Sequence, residues 1–265
     1  MARKTTYRQR YTNKLLEAGE APVKPPRKER IPLDPALQLQ YLEGKTILIN
    51  KPLHWTSFDM VRKLRSLLQI KKIGHAGTLD PLATGLLIIC TGKFTKKINE
   101  YMAQEKEYTG SLTLGATTPT YDLEAEPGNF KSIEHITDLQ LEEAARQFTG
   151  EIMQVPPAHS AIRINGKRVY ELARKGEEVK LEPRKITIRT IDITAIELPL
   201  VYFKVVCTTG TYIRSLANDI GNVLGCGAYL SGLRRTRIGD FTVDKAMSIE
   251  EFGEQAKRLL ESPSL

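Results

Sequence analysis

The chain has 265 residues, of which 41% are hydrophobic and 26% charged, with a net charge of +8. Those proportions fit an ordinary globular protein with room for one large domain or two small ones, and no apolar run nears the roughly 18 residues of a membrane span. The polar start Met1-Ala2-Arg3-Lys4 lacks the apolar core of a secretory signal.

Residues 1–30 carry nine Lys or Arg against three Asp or Glu. With Pro22, Pro25, Pro26, Pro32 and Pro35 and no apolar periodicity, residues 1–40 read as a basic, flexible extension, and folded structure is expected from near Leu42. Lys45–Asn50 reads as a short strand, followed by a turn at Lys51-Pro52-Leu53-His54-Trp55. Thr56 can cap a helix with Asp59 reaching back. Phe58, Val61, Leu64, Leu67 and Leu68 recur at helical spacing there, with Arg62, Lys63 and Arg65 on the other face.

A glycine-rich loop, Gly74–Gly85, leads to an apolar strand at Leu86–Cys90, and a short helix is expected over Thr95–Met102. Tyr108, Gly110, Leu112 and Leu114 alternate in a strand over Lys106–Leu114, and Thr117–Asp122 is a loop. Asp138–Phe148 predicts an amphipathic helix ended by Gly150, and Val169–Lys175 a short one. Lys185–Glu197 and Leu200–Cys207 read as long strands. A helix follows from Thr211 to about Leu224, a strand over Leu233–Val243, and a last helix opening at Ser248. The order of elements lacks a βαβ rhythm and predicts an α+β fold with a largely antiparallel sheet.

Three cysteines (Cys90, Cys207, Cys226) show no pairing pattern and four histidines no metal spacing. Reduced thiols, a cytoplasmic location and no bound metal are expected. Gly92-Lys93 is followed by Phe94, which excludes a phosphate-binding GxxxxGK[ST] loop, and no GxGxxG follows a strand.

The run Gly74-His75-Ala76-Gly77-Thr78-Leu79-Asp80-Pro81-Leu82-Ala83-Thr84-Gly85 holds the leading catalytic candidate. Pro81 biases Asp80 towards an extended backbone. Leu79, Leu82, Leu86 and Leu87 would surround the carboxylate with apolar groups, where a charge needs a partner. An Asp-Pro pair also serves as an ordinary turn. Arg214 sits in the first turn of a helix, where a cation opposes the helix dipole and something must hold it; a carboxylate from another loop would do so, and Asp80 is a candidate. Tyr108 is either a core tyrosine or a flat surface for a nucleobase.

Several of these segments resemble, in order, the TruB family, the bacterial tRNA pseudouridine-55 synthases. They are Asn50-Lys51-Pro52, Trp55-Thr56-Ser57, Gly74–Leu87, Lys106–Gly115, Thr117–Asp122, Pro156–Arg174, Gly210–Arg214 and Leu233-Arg234-Arg235, spanning about residues 42–250. Here Asn50 stands where the family usually has Asp, and Ala161-Ile162-Arg163 where it commonly has Ala-Leu-Lys. The resemblance implies the pseudouridine synthase fold over residues 41–250, with 156–189 as a mobile arm that grips RNA.

It implies Asp80 as the catalytic aspartate, Tyr108 as the tyrosine stacking on the target uracil, and Arg214 as the arginine pairing with the aspartate. Tyr212 and Leu233 would line the uracil pocket, His75 would help displace the base, and Lys51 would bind substrate. The implied reaction turns a uridine in the T loop of tRNA into pseudouridine after base flipping. The substrate partner is the T arm of tRNA; no cofactor, no obligate protein partner and a monomer are expected. After Glu251 only a short helix and tail over 251–265 are expected, too little for the C-terminal RNA-binding domain many members carry. The basic arm Arg3–Arg30 would replace it in part through phosphate contacts.

Overall fold

The structure is a computed structural model and describes residues 35–158, 160, 163–164, 167–168 and 181–261. Residues 1–34, the expected helix Val169–Lys175 and much of the expected arm lie outside the described residues.

In chain order, helix α1 (Pro35–Glu43) precedes β1 (Thr46–Lys51), α2 (Ser57–Leu68), β2 (Ile73–Ala76) and β3 (Ala83–Thr91). A 3-10 turn, Gly92–Lys97, leads into α3 (Ile98–Ala103) and β4 (Lys106–Leu114). Then come α4 (Asp138–Arg146), β5 (Gly150–Gln154), and the two-residue strands β6 (Arg163–Ile164) and β7 (Lys167–Arg168), paired antiparallel. The chain continues through β8 (Arg184–Glu197), β9 (Leu200–Cys207), α5 (Ile213–Val223), β10 (Ala228–Ile238), β11 (Phe241–Thr242) and α6 (Ile249–Glu261). The α+β expectation with largely antiparallel strands holds.

Helix begins at Pro35, ahead of the expected start near Leu42, because proline suits a first helical turn whose N–H is unpaired anyway. Gly150 does not merely end α4: it opens β5, a strand the sequence hid because only Gln154 of its five residues is buried. The last strand begins at Ala228, five residues before its expected start at Leu233, and turns back at Gly239 (φ 51°) into β11.

The chain divides into two compact units, one from residues 35–106 and 234–261, the other from 107–233. In the first, β1 and β2 both pair antiparallel with β3, Ile49 opposite Leu87 and His75 opposite Ile89. Strand residues point alternately to the two faces, and β3 is covered on both. Leu87 and Ile89 meet Met60, Val61, Leu64, Leu67 and Leu68 of α2 and Ile249 and Phe252 of α6. Leu86, Ile88 and Cys90 meet Tyr101, Ile238 and Val243 on the other side. That double burial is why the sequence shows an unbroken apolar run there.

Helix α2 starts with the predicted capping box, the Thr56 hydroxyl accepting from Asp59 N while Asp59 caps Thr56 N. One member of its predicted apolar stripe differs: Phe58 is 59% exposed, and Met60 takes its place in the core.

In the second unit β8 pairs antiparallel with both β5 and β9. Val201, Phe203, Val205 and Cys207 alternate inward along β9, and α5 buries Ile213, Leu216, Ala217 and Ile220. All three cysteines are free and buried, and no described helix is long and apolar enough to cross a membrane.

Candidate active site

Asp80 heads a tight turn: Ala83 N donates to Asp80 O at 3.0 Å, with Pro81 in the second position, where its fixed φ suits the turn. The turn and the carboxylate mount are thus one object. Both neighbours of Asp80 are tied down by other elements. The buried Ser57 hydroxyl donates to Leu79 O (3.2 Å) and accepts from Leu79 N (2.9 Å). On the other side Pro81 O accepts from His54 N (2.8 Å) and from Lys51 Nζ (3.5 Å). Asp80 itself stays half-buried.

Lys51, expected to bind substrate, is fully buried, and its ammonium also donates to Pro52 O (2.9 Å) and Trp55 O (2.7 Å). It grips the Asp80 turn and the 52–55 turn from inside and faces no solvent from which a ligand could reach it. Burial pulls its pKa down to about 8, opposed by the Asp80 carboxylate and helped by the Arg235 guanidinium.

Arg235 is the residue the sequence left without a role. It is 1% exposed; Nε donates to Leu86 O (2.8 Å) and Nη2 to Gly77 O (3.1 Å). Gly85 (φ 100°) lies so close to the Arg235 backbone that an added Cβ would stand 2.3 Å from its carbonyl oxygen. One arginine therefore holds the loop at Gly77 and at Gly85, which is what the glycines are for.

His75 lies on β2, not on a loop, because Gly74-His75-Ala76 pairs with β3. Burial and the nearby Arg235 charge hold its pKa below the ordinary histidine value, against a smaller opposing effect of the Gly77 carbonyl, so the ring is neutral at pH 7. Its Nδ1 is buried with no hydrogen bond of ordinary geometry.

The second unit carries Tyr108, Tyr212, Arg214 and Leu233. Arg214 is buried in the first turn of α5 and meets the Asp122 carboxylate, Nε to Oδ2 3.6 Å, both side chains 5% exposed. Arg214 Nη1 also donates to Thr120 O at 3.2 Å. The loop bearing Asp122 is fixed by Leu230 N donating to Tyr121 O and by the Thr118 hydroxyl donating to Asp122 O. The sequence marked Thr117–Asp122 as a loop but did not mark Asp122 as a counter-ion of Arg214. No local pattern reveals a partner 92 positions away.

Gln154, at the end of β5, pairs with the backbone of Tyr212 as a strand neighbour would. Its Nε2 donates to Tyr212 O (3.1 Å) and its Oε1 accepts from Tyr212 N (2.8 Å). The Ser215 hydroxyl donates to Val155 O at 2.8 Å. The turn of helix that carries Arg214 is thereby clamped to β5. Tyr108 is 9% exposed on β4. Beside it Gly110 packs on Gly232 O and the Ser111 and Ser231 hydroxyls bond at 3.0 Å. Strand β4 neighbours β10, which carries Leu233.

Among known proteins, the family model for the N-terminal domain of TruB family pseudouridylate synthases matches residues 65–213. The model for the tRNA pseudouridylate synthase B C-terminal domain matches residues 214–262. That second match takes in most of α5 together with β10, β11 and α6.

The chain is 55% identical over 222 residues to tRNA pseudouridine synthase B of Flavobacterium johnsoniae, covering 81% of this chain and 97% of that one. It is 50% identical over 222 residues to the protein of the same name from Parabacteroides distasonis, covering 82% and 94%. A solved chain of a Cbf5-Nop10-Gar1 complex is similar with a TM-score of 0.67 and 28% identity, over 89% of this chain and 63% of that one. Together the two family models match residues 65–262, Asp80 and Arg214 among them, and the chain belongs to the TruB family of pseudouridylate synthases.

Proposed function

We propose that this chain converts uridine 55 in the T loop of tRNA to pseudouridine in the cytoplasm, as a monomer and without a cofactor. The observation that carries the reading is the mount of Asp80: a half-buried carboxylate whose two neighbours are each held by buried side chains or backbone from other elements. Such fixation suits a group that must meet a reacting atom in one geometry. The identity to proteins named tRNA pseudouridine synthase B supports tRNA as the substrate.

In this reading the target base leaves its stack, at a cost of about a few kcal/mol, and the neutral His75 ring fills the vacated space. Tyr108 stacks on the extruded uracil, with Tyr212 and Leu233 along the pocket wall. Asp80 acts as the nucleophile with Arg214 as its cationic partner, and Asp122 sets the orientation of Arg214. The bond from C1′ to N1 breaks, the uracil turns, a bond from C1′ to C5 forms, N1 takes up a proton and the C5 hydrogen leaves to water. Lys51 and Arg235 position the Asp80 loop and do not touch the base.

The test is tritium release from tRNA labelled at C5 of uridine. Asp80→Asn should abolish release while tRNA affinity stays within a few fold of wild type; release near the wild-type rate sinks the assignment. The likeness to a Cbf5-Nop10-Gar1 complex favours a second reading, in which the chain works inside a larger assembly with other proteins. Release by the purified chain on free tRNA, with nothing added, decides between them.

A further inference from the structure

We infer that His54 and Phe58, with the apolar Leu53 beside His54, form a stacking ridge for unpaired nucleobases of the RNA next to the flipped uridine; the inference rests on the function proposed above. Leu53 is 44% and Phe58 59% exposed, and the His54 side chain is also exposed. The sequence pattern would send Phe58 into the core, yet the fold turns it outward.

The turn that presents them is rigid. His54 takes a left-handed backbone (φ 66°), uncommon for a residue with a side chain, and its N–H is held by Pro81 O at 2.8 Å. Lys51 fixes the Pro52 and Trp55 carbonyls from below, and Trp55 packs inward on the core around α2. Phe58 directly follows Ser57, whose hydroxyl clasps both backbone groups of Leu79. The ridge is therefore tied to both neighbours of Asp80, directly from His54 N–H to Pro81 and through Ser57, next to Phe58, to Leu79.

The surroundings favour a polyanion. From Lys51 to Leu68 the chain has Arg62, Lys63 and Arg65 besides the buried Lys51, and a single acid, Asp59. Both carboxylate oxygens of Asp59 are engaged, by Thr56 and by Arg62. Flat rings among cations are the pattern that holds single-stranded nucleic acid, bases on the rings and phosphates on the charges. Two apolar side chains and an imidazole fall far below the roughly 800 Å² per partner of a stable protein interface. His75 takes the place of the extruded uracil, and a neighbouring base that also leaves the stack finds its partner on the ridge.

The test uses the full chain and a T stem-loop RNA carrying 2-aminopurine one nucleotide 3′ of the target uridine. Phe58→Ser and His54→Gly, the latter chosen because glycine keeps the positive φ, should each raise Kd and KM roughly tenfold. Both should also weaken the 2-aminopurine fluorescence change, with kcat falling far less than kcat/KM. Phe58→Trp should bind as well as wild type, and Phe58→Leu should not. Phe130→Ser, at a ring 77% exposed elsewhere on the chain, should bind as wild type.

Binding within twofold of wild type for both Phe58→Ser and His54→Gly overturns the inference, as does Leu serving as well as Phe at position 58. Thermal melts check folding, and should Phe58→Ser unfold, His54→Gly decides. A wild-type chain that binds the RNA and gives the fluorescence change without releasing tritium would instead refute the proposed activity and leave the ridge standing.

Discussion

Replacing Lys51 with Met tests whether a buried ammonium fastens the Asp80 turn. Methionine has similar length and no charge. Its substitution removes donors from Pro52 O and Trp55 O, at about 1–3 kcal/mol for each carbonyl left unpaired. It also removes the cost of burying a charge. The folded lysine titrates near 8 and the unfolded one near 10.5, a gap that corresponds to about 3 kcal/mol.

The unfolded chain therefore binds more protons between those pH values, and the lysine's contribution to stability rises with pH there. At pH 7 the folded state bears nearly the whole desolvation cost; by pH 9.5 about 2 kcal/mol of it is relieved. The destabilisation caused by Lys51→Met should thus grow by about 2 kcal/mol from pH 7 to pH 9.5, and differencing against wild type cancels the other groups that titrate there. Urea unfolding of both proteins at the two pH values measures it. A difference that stays constant with pH would refute the reasoning, because it would mean that Lys51 is not a desolvated cation.

Two further outcomes follow from the packing. Asp122→Asn leaves the buried Arg214 guanidinium short of its carboxylate and should cost about 3–5 kcal/mol in stability, whereas Asp122→Leu combined with Arg214→Met should recover much of that loss and remain inactive; melts and tritium release read the two effects separately. Gly85→Ala drives a Cβ into the Arg235 backbone as well as straining a positive φ, while Gly210→Ala (φ 87°) meets nothing within 4 Å. The first should therefore cost about 1–3 kcal/mol more than the second, and equal melting points would remove Arg235 as the grip on the loop.

Much of the architecture was legible along the chain. The capping box at Thr56 and Asp59, the strand Lys106–Leu114 and the alternation in β9 are local, written in residues a few positions apart. The resemblance picked out Asp80, Tyr108, Arg214 and Leu233, again from short runs. β2 and β5 were not legible. β2 is four residues long, two of them only partly buried, and β5 buries one side chain; a strand whose support is pairing with a distant neighbour leaves little pattern in its own residues.

By itself the sequence determined that one carboxylate sits before a proline on a glycine-rich run, because backbone preferences at Gly and Pro act within a residue or two. Only the tertiary structure decided what holds it. Ser57 on Leu79, Lys51 on Pro81, Arg235 on Gly77 and Asp122 on Arg214 join residues 22 to 158 positions apart. The same holds for Phe58, which fits the helical stripe by spacing and yet faces water, since a side chain's surroundings depend on which distant elements arrive to cover it.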